Sequence, residues 1–255
     1  YAAVMGESLL DGYQRVGKWA LVAFLIPTFG TMFVLQAAVT IVTAGLASKI
    51  FGTSMSPLTW SAVILAVCAG VLTIGKYPLL DKLIKIIIIV LSLSTIVAVV
   101  TAFGHGSSAS VDFIPPHVWN VAGVSFMVAL IGWMPSAIDI SVWHSLWTIE
   151  RRKETGSAPS LADSLFDFRL GYFGTGILAL GFLSLGSLIM YGSGTSFSPS
   201  GGKFAGQFIS LYTSTLGSWS YPVVAIAALT TMFSTTLTVT DAFPRVLKRS
   251  TELVF

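Results

Sequence analysis

Charge is what this chain has least of. Asp, Glu, Lys and Arg make up 10% of its 255 residues, against about 25% in a soluble domain. None of the four occurs between Lys18 and Lys49, Lys49 and Lys76, Lys85 and Asp112, or Arg169 and Lys203. Each gap exceeds the roughly 20 apolar residues a membrane-spanning helix requires, which excludes a soluble globular domain. Cysteine is nearly absent as well. Cys68, alone inside an apolar run, rules out a disulfide framework or a cysteine metal cluster and reads as packing. No His/Cys/Glu zinc-enzyme spacing, no Gly-x-Ser-x-Gly nucleophile turn and no Gly-rich stretch leading into Lys-Ser/Thr is found, so the sequence carries no signature of those enzyme chemistries and predicts no enzyme and no bound cofactor.

What is present is apolar: 54% hydrophobic residues and a mean hydropathy of +0.84. Besides the four uncharged gaps, two further apolar stretches are each marked by one acid, Asp139 and Asp241. Six spans follow, near 19–48, 57–75, 83–103, 118–149, 170–191 and 220–247. The runs are too long and continuous for the short alternating strands of a barrel. The first is too long for a signal peptide, follows polar residues and lacks a small-residue cleavage site. The fold class is therefore an all-α polytopic membrane protein in a single transmembrane domain, 1–255.

The basic residues give the orientation. Alternate connections hold Arg15 and Lys18; Lys76, Lys82 and Lys85; Arg151, Arg152, Lys153 and Arg169; and Arg245, Lys248 and Arg249. That is twelve on one side against Lys49 and Lys203 on the other, and the positive-inside rule places the twelve in the cytoplasm. The basic balance is thus a topology signal. Split among short loops, it makes no nucleic-acid surface, and the lipid bilayer is the expected surrounding. Trp19, Trp60 and Trp119 near span ends suit interface anchors. Residues 151–169 read as a cytoplasmic loop, 191–203 as a Gly/Ser/Pro-rich outer loop, and 204–217 as a short surface helix. The opening at Tyr1 and the stop at "TELVF" read as the ends of a piece of a larger transporter.

The fourth span contains "IGWMPSAIDISVW", 131–143, with a helix breaker and a charge near its midpoint. Pro135 has no amide hydrogen and clashes with the carbonyl four residues back, freeing carbonyls around Ile131, and it disfavours helix at Met134. Gly132 adds flexibility. Ser136-Ala-Ile-Asp139 matches the [ST]-x-x-[DE] pattern that starts a helix. The sequence predicts a helix end, a short unwound stretch near 131–136 and a helix start. Such backbone is tolerated at membrane depth only where protein buries it or it lines a cavity, and discontinuous helices commonly hold the ion or substrate of secondary transporters. Carbonyls at the first half-helix end can coordinate a cation, and the Met134 thioether is a soft ligand that favours transition metals. A simple proline kink with a packed Met is the other reading.

Asp139 can cap the second half-helix or carry an ion or proton. His144, two turns further on, is either a proton relay or a hydrogen-bonded interior residue. Thr230, Ser234 and Thr238 share one face of the last span. They read as interhelical hydrogen-bonding groups, with a cation path as the alternative.

At "MVALIGWMPSAIDISVWHSLW" (127–147) the chain resembles the sixth helix of the Nramp family of divalent-metal transporters, whose hallmark there is Met-Pro-His in a helix break. "YAAVMGESLLDGYQ" resembles the end of their second helix and "TMFSTTLTVTDAFPR" their eighth, so the six spans fall in order as helices three to eight. The resemblance implies a LeuT-type inverted repeat, truncated at both ends, alternating access, and import of Mn²⁺, Fe²⁺ or a similar ion through a bacterial inner membrane. Met134 would be the thioether ligand and Ile131 would supply a backbone carbonyl. The family's other ligands, in an Asp-Pro-Gly-Asn break of its first helix, fall outside this chain. Ser136 and Ser141 stand where the family has histidines, and Gln36 and Val39 where its third helix has carboxylates. The resemblance thus leaves proton coupling weakened or rerouted through Asp139 and His144. It also leaves Mg²⁺ or a small organic solute as the alternative substrate.

Overall fold

The computed structural model describes the chain apart from Ser54, Gly75, Lys76, Pro135, Ala158, Pro159, Thr195, Ser196, Phe197, Pro199 and Phe255. Among the described residues all regular structure is helical: α1 (Ala2–Met5), α2 (Leu9–Val16), α3 (Lys18–Phe51), α4 (Pro57–Ile74), α5 (Tyr77–His105), α6 (Val121–Trp133), α7 (Ile138–Thr155), α8 (Leu161–Leu185), α9 (Gly201–Leu216) and α10 (Tyr221–Val254). Six stretches are long and apolar enough to cross a membrane: α3, α4, the second part of α5, α6 with α7, α8 with the π-helical turn Gly186–Met190, and α10 with the turn before it. They match the six expected spans, and the protein is a multi-pass membrane protein. Side chains such as Phe33, Val34, Ile177 and Leu180 face outward, as lipid contact allows.

Two expectations need correction. Residues 151–169 are mostly helix, because α7 continues to Thr155 and α8 begins at Leu161. Gly156, with φ 67°, ends α7 in the left-handed conformation that glycine adopts without steric cost. Ser160 then receives the Asp163 amide at 3.0 Å and donates to its carboxylate at 2.6 Å, fixing the start of α8. Second, α9 is no surface helix. Ala205, Ile209 and Tyr212, at i, i+4 and i+7, are buried together with Leu211.

The chain forms two compact units. One holds Tyr1–Val34, His117–Ala179 and Asp241–Phe255; the other holds Leu35–Pro116 and Leu180–Thr240. In the second, a core of Leu46, Ala98, Leu185, Ile209, Tyr212 and Val224 surrounds α9. The Tyr212 hydroxyl meets Thr95 Oγ1 at 2.8 Å, the partner a buried phenol requires. Cys68 is packed among Ala44, Ala47, Ile64 and Leu237, as its apolar setting suggested. Thr236, buried, meets Thr43 Oγ1 at 2.9 Å. The hydroxyl of α10 that crosses to another helix is therefore Thr236. Thr230, Ser234 and Thr238 are half-buried.

In the first unit α7 turns Val142, Trp143, Ser145 and Leu146 inward. Leu9 N–H donates to Ser145 Oγ at 2.9 Å, and the Trp143 ring meets Phe243 edge-on at 5.2 Å. Trp147 Nε1–H donates to Asp241 at 2.8 Å, and Arg245 binds the same carboxylate oxygen at 2.8 Å. Ser8 caps α2 in a reciprocal box with Asp11. Asp11 also pairs with Arg249. Burial alone would raise the Asp11 carboxyl; hydrogen bonds from Arg249 and Ser8 and the Arg249 charge outweigh it and hold the carboxyl below its ordinary 3.8.

Candidate functional site

The fourth span is two helices. Asn120 starts α6 by accepting from Gly123 N–H at 2.9 Å while its own amide donates to the His117 carbonyl at 2.7 Å. A side chain at Gly123 would collide with the Val118 carbonyl oxygen, so this start needs glycine. The helix stops at Trp133. Met134 is extended, with φ −111° and ψ 133°, and its N–H makes the closing bond to Leu130 at 2.9 Å. An extended residue is what a following proline imposes. Pro135 itself lies outside the described residues. Helix resumes at Ile138, so the interruption is 134–137, displaced slightly from the expected 131–136.

The expected cap at the restart is absent. The N-cap is Ala137, extended at φ −66° and ψ 153°, and no side chain caps it. Ser136 is exposed, and the Asp139 carboxylate is engaged elsewhere. Asp139 lies in the first turn of α7, only 8% exposed, with Oδ1 2.7 Å from Thr28 Oγ1 of α3. Thr28, 1% exposed, also lies 3.0 Å from the Phe24 carbonyl one turn back. A hydroxyl has one proton, so Thr28 serves one of these acceptors as donor at a time. When it turns to the carboxylate, the Phe24 bond opens. When it turns to Phe24, its lone pairs face Asp139. A tertiary hydrogen bond and the positive helix end thus hold the acid that the sequence marked.

The remaining candidates are placed as follows. Ile131 and Gly132 lie in the last turn of α6, with the Ile131 side chain 71% exposed. Met134 is 39% exposed at the break. His144 is exposed, its ring edge-on to Trp147 at 5.9 Å. Asp139 and His144 do not converge: five residues along a helix turn about 140°, and one side chain is buried where the other is exposed. Thr28 was missed in the sequence. Its one local signal is a hydroxyl following Pro27 within a long uncharged span; the partner 111 residues away has no local trace. Among the described residues no three His, Cys, Asp or Glu side chains gather.

Comparison with known proteins adds a relative. No family model and no solved structure matches the chain. It is 39% identical over 258 residues to an uncharacterized protein of Pasteurella multocida, an alignment that covers all of this chain. The chain spans 59% of that protein's length.

Proposed function

We propose that the protein is a secondary transporter that imports a divalent metal ion of the Mn²⁺ or Fe²⁺ type by alternating access, in a LeuT-type inverted repeat of the bacterial inner membrane. The observation that carries this reading is the interruption at 134–137 inside an apolar span. Non-helical backbone at that depth needs a protein or cavity environment, and carbonyls at a half-helix end suit a cation. The exposed thioether beside it, Met134, supplies the softness that selects a transition metal over Mg²⁺. The metal is cargo, so no resident cofactor is invoked. The Nramp resemblance of 127–147 supports the same assignment, with Met134 and the Ile131 carbonyl as ligands. Asp139 anchors the second half-helix through Thr28 and is the acid of this span available for proton movement. Ser136 and Ser141, hydroxyls in place of histidines, favour a second reading in which the cargo is the harder Mg²⁺.

The test is uptake by the intact protein in proteoliposomes loaded with a metal-sensitive dye. Saturable Mn²⁺ entry that falls at least about tenfold in Met134→Ala, as expected for removal of a metal-binding group, supports the first reading. Mg²⁺ entry indifferent to Met134→Ala selects the second. Entry of neither ion would sink both.

A further inference from the structure

The charge count assigns two basic residues to the outer side, Lys49 and Lys203, and the structure brings them to one cavity. Lys49 comes from the last turn of α3 and Lys203 from the first turn of α9. With Ser198, Gly206, Gln207 and Ser210 they line a space of about 510 Å³. Gly206 is part of this arrangement. A Cβ there would run into the Lys49 ammonium group, so the missing side chain is what lets Lys49 lie across α9. The Ser198 N–H bond to Gln207 Oε1 at 2.7 Å holds Ser198 against α9 at the cavity wall.

The electrostatics of this cavity are one-sided. Lys203 stands at the positive end of a helix dipole, where a cation is unfavourable, and Lys49 adds a second charge of the same sign. The Ser200 side chain does not cap the helix, and the first turn holds no acid. Among the described residues neither lysine has a carboxylate partner. Asp112, the acid that the topology puts outside, is exposed. Two lysines that line one open cavity, without a carboxylate partner among the described residues, give it a net positive charge that favours an anion. We propose that this cavity binds a phosphate group, either a free phosphate or the headgroup of an outer-leaflet phospholipid. Two ammonium groups offset the dianion of free phosphate, or more than offset the monoanion of a phosphodiester headgroup, and both can donate charge-assisted hydrogen bonds to its oxygens. The site shares no residue with the broken span, and its test does not depend on the transported substrate.

The experiment has two ligand arms on the intact protein in neutral detergent. Inorganic phosphate and, separately, dihexanoyl phosphatidylglycerol are titrated calorimetrically, and amine acetylation is mapped with and without each. Saturable binding of at least one ligand is expected, with acetylation of Lys49 and Lys203 suppressed and that of Lys18 unchanged. In Lys49→Gln/Lys203→Gln the affinity should fall by about tenfold or more. Binding of inorganic phosphate assigns a soluble anion, and binding of phosphatidylglycerol alone assigns a lipid headgroup. Absence of binding by both overturns the proposal. So does binding that leaves both lysines acetylated as readily as before, a readout on the unsubstituted protein that does not depend on the variant folding.

Discussion

Thr28 and Asp139 show what one hydrogen bond does in a sparsely charged span. The carboxylate, 8% exposed, meets the Thr28 hydroxyl at 2.7 Å, and that hydroxyl is shared with the Phe24 carbonyl. Thr28→Val keeps the shape and removes the donor. Paired with Asp139→Ala in a double-mutant cycle, it should reveal a coupling of about 1–2 kcal/mol, the upper range for hydrogen bonds between membrane helices. Denaturant unfolding in detergent reads it, and simple additivity of the two substitutions would mean the contact contributes nothing. The acid was legible in the sequence, because a lone carboxylate in an apolar run needs a reason to be there. Its role was only half legible. The local pattern Ser136-x-x-Asp139 suggested a reciprocal cap, yet the chain caps with Ala137 and spends the carboxylate on Thr28. Tertiary partners outcompete local ones, and no local window contains a residue 111 positions away.

At the scale of elements, the break and α9 differ in how they are written. The break is local chemistry: proline's lost donor and its steric effect on Met134 act within a few residues, so the pattern predicted it to within a few positions. The amphipathic stripe of α9 was equally present, at Ala205, Ile209 and Tyr212, but a stripe states only that something covers it. Its cover comes from α3 and α5, far away in sequence, and from the π-helical turn and α10 on either side of it, and the stripe does not say which of them folds back. Tyr212 therefore discriminates a core helix from a surface one. Tyr212→Ala should destabilise by about 3–5 kcal/mol, in the range of large aromatic truncations. Tyr212→Phe, which deletes only the bond to Thr95, should cost about 1 kcal/mol. Losses under about 0.5 kcal/mol for both, typical of surface positions, would return α9 to the surface. Urea unfolding and hydrogen exchange across 201–216 give the two readouts.

For the molecule as a whole, everything said of the break depends on α6 and α7 crossing the bilayer as one span. Neither suffices alone. Thirteen residues of α6 and eighteen of α7 extend about 20 and 27 Å at 1.5 Å per residue, against a hydrocarbon core of about 30 Å. Joined end to end they cross it, and 134–137 then falls within the apolar interior. Folded back as a re-entrant pair, they would return the chain to the side it left, and the unwound segment would be a loop tip with no cation requirement. The twelve-to-two distribution of basic residues argues for crossing, because under the positive-inside rule it would put 106–120 outside and 151–153 inside. Single cysteines test this directly in a Cys68→Ala background. Cys68 is fully buried among small and aliphatic neighbours, so its replacement by another small residue should be tolerated. Val111→Cys, fully exposed, should react with an impermeant maleimide on intact cells. Lys153→Cys, which breaks only a surface pair with Glu150, should react after permeabilisation alone. Labelling of both from the same side would place α6 and α7 in a hairpin. Met134 would then lose its position at depth, and with it the physical basis for a metal ligand there.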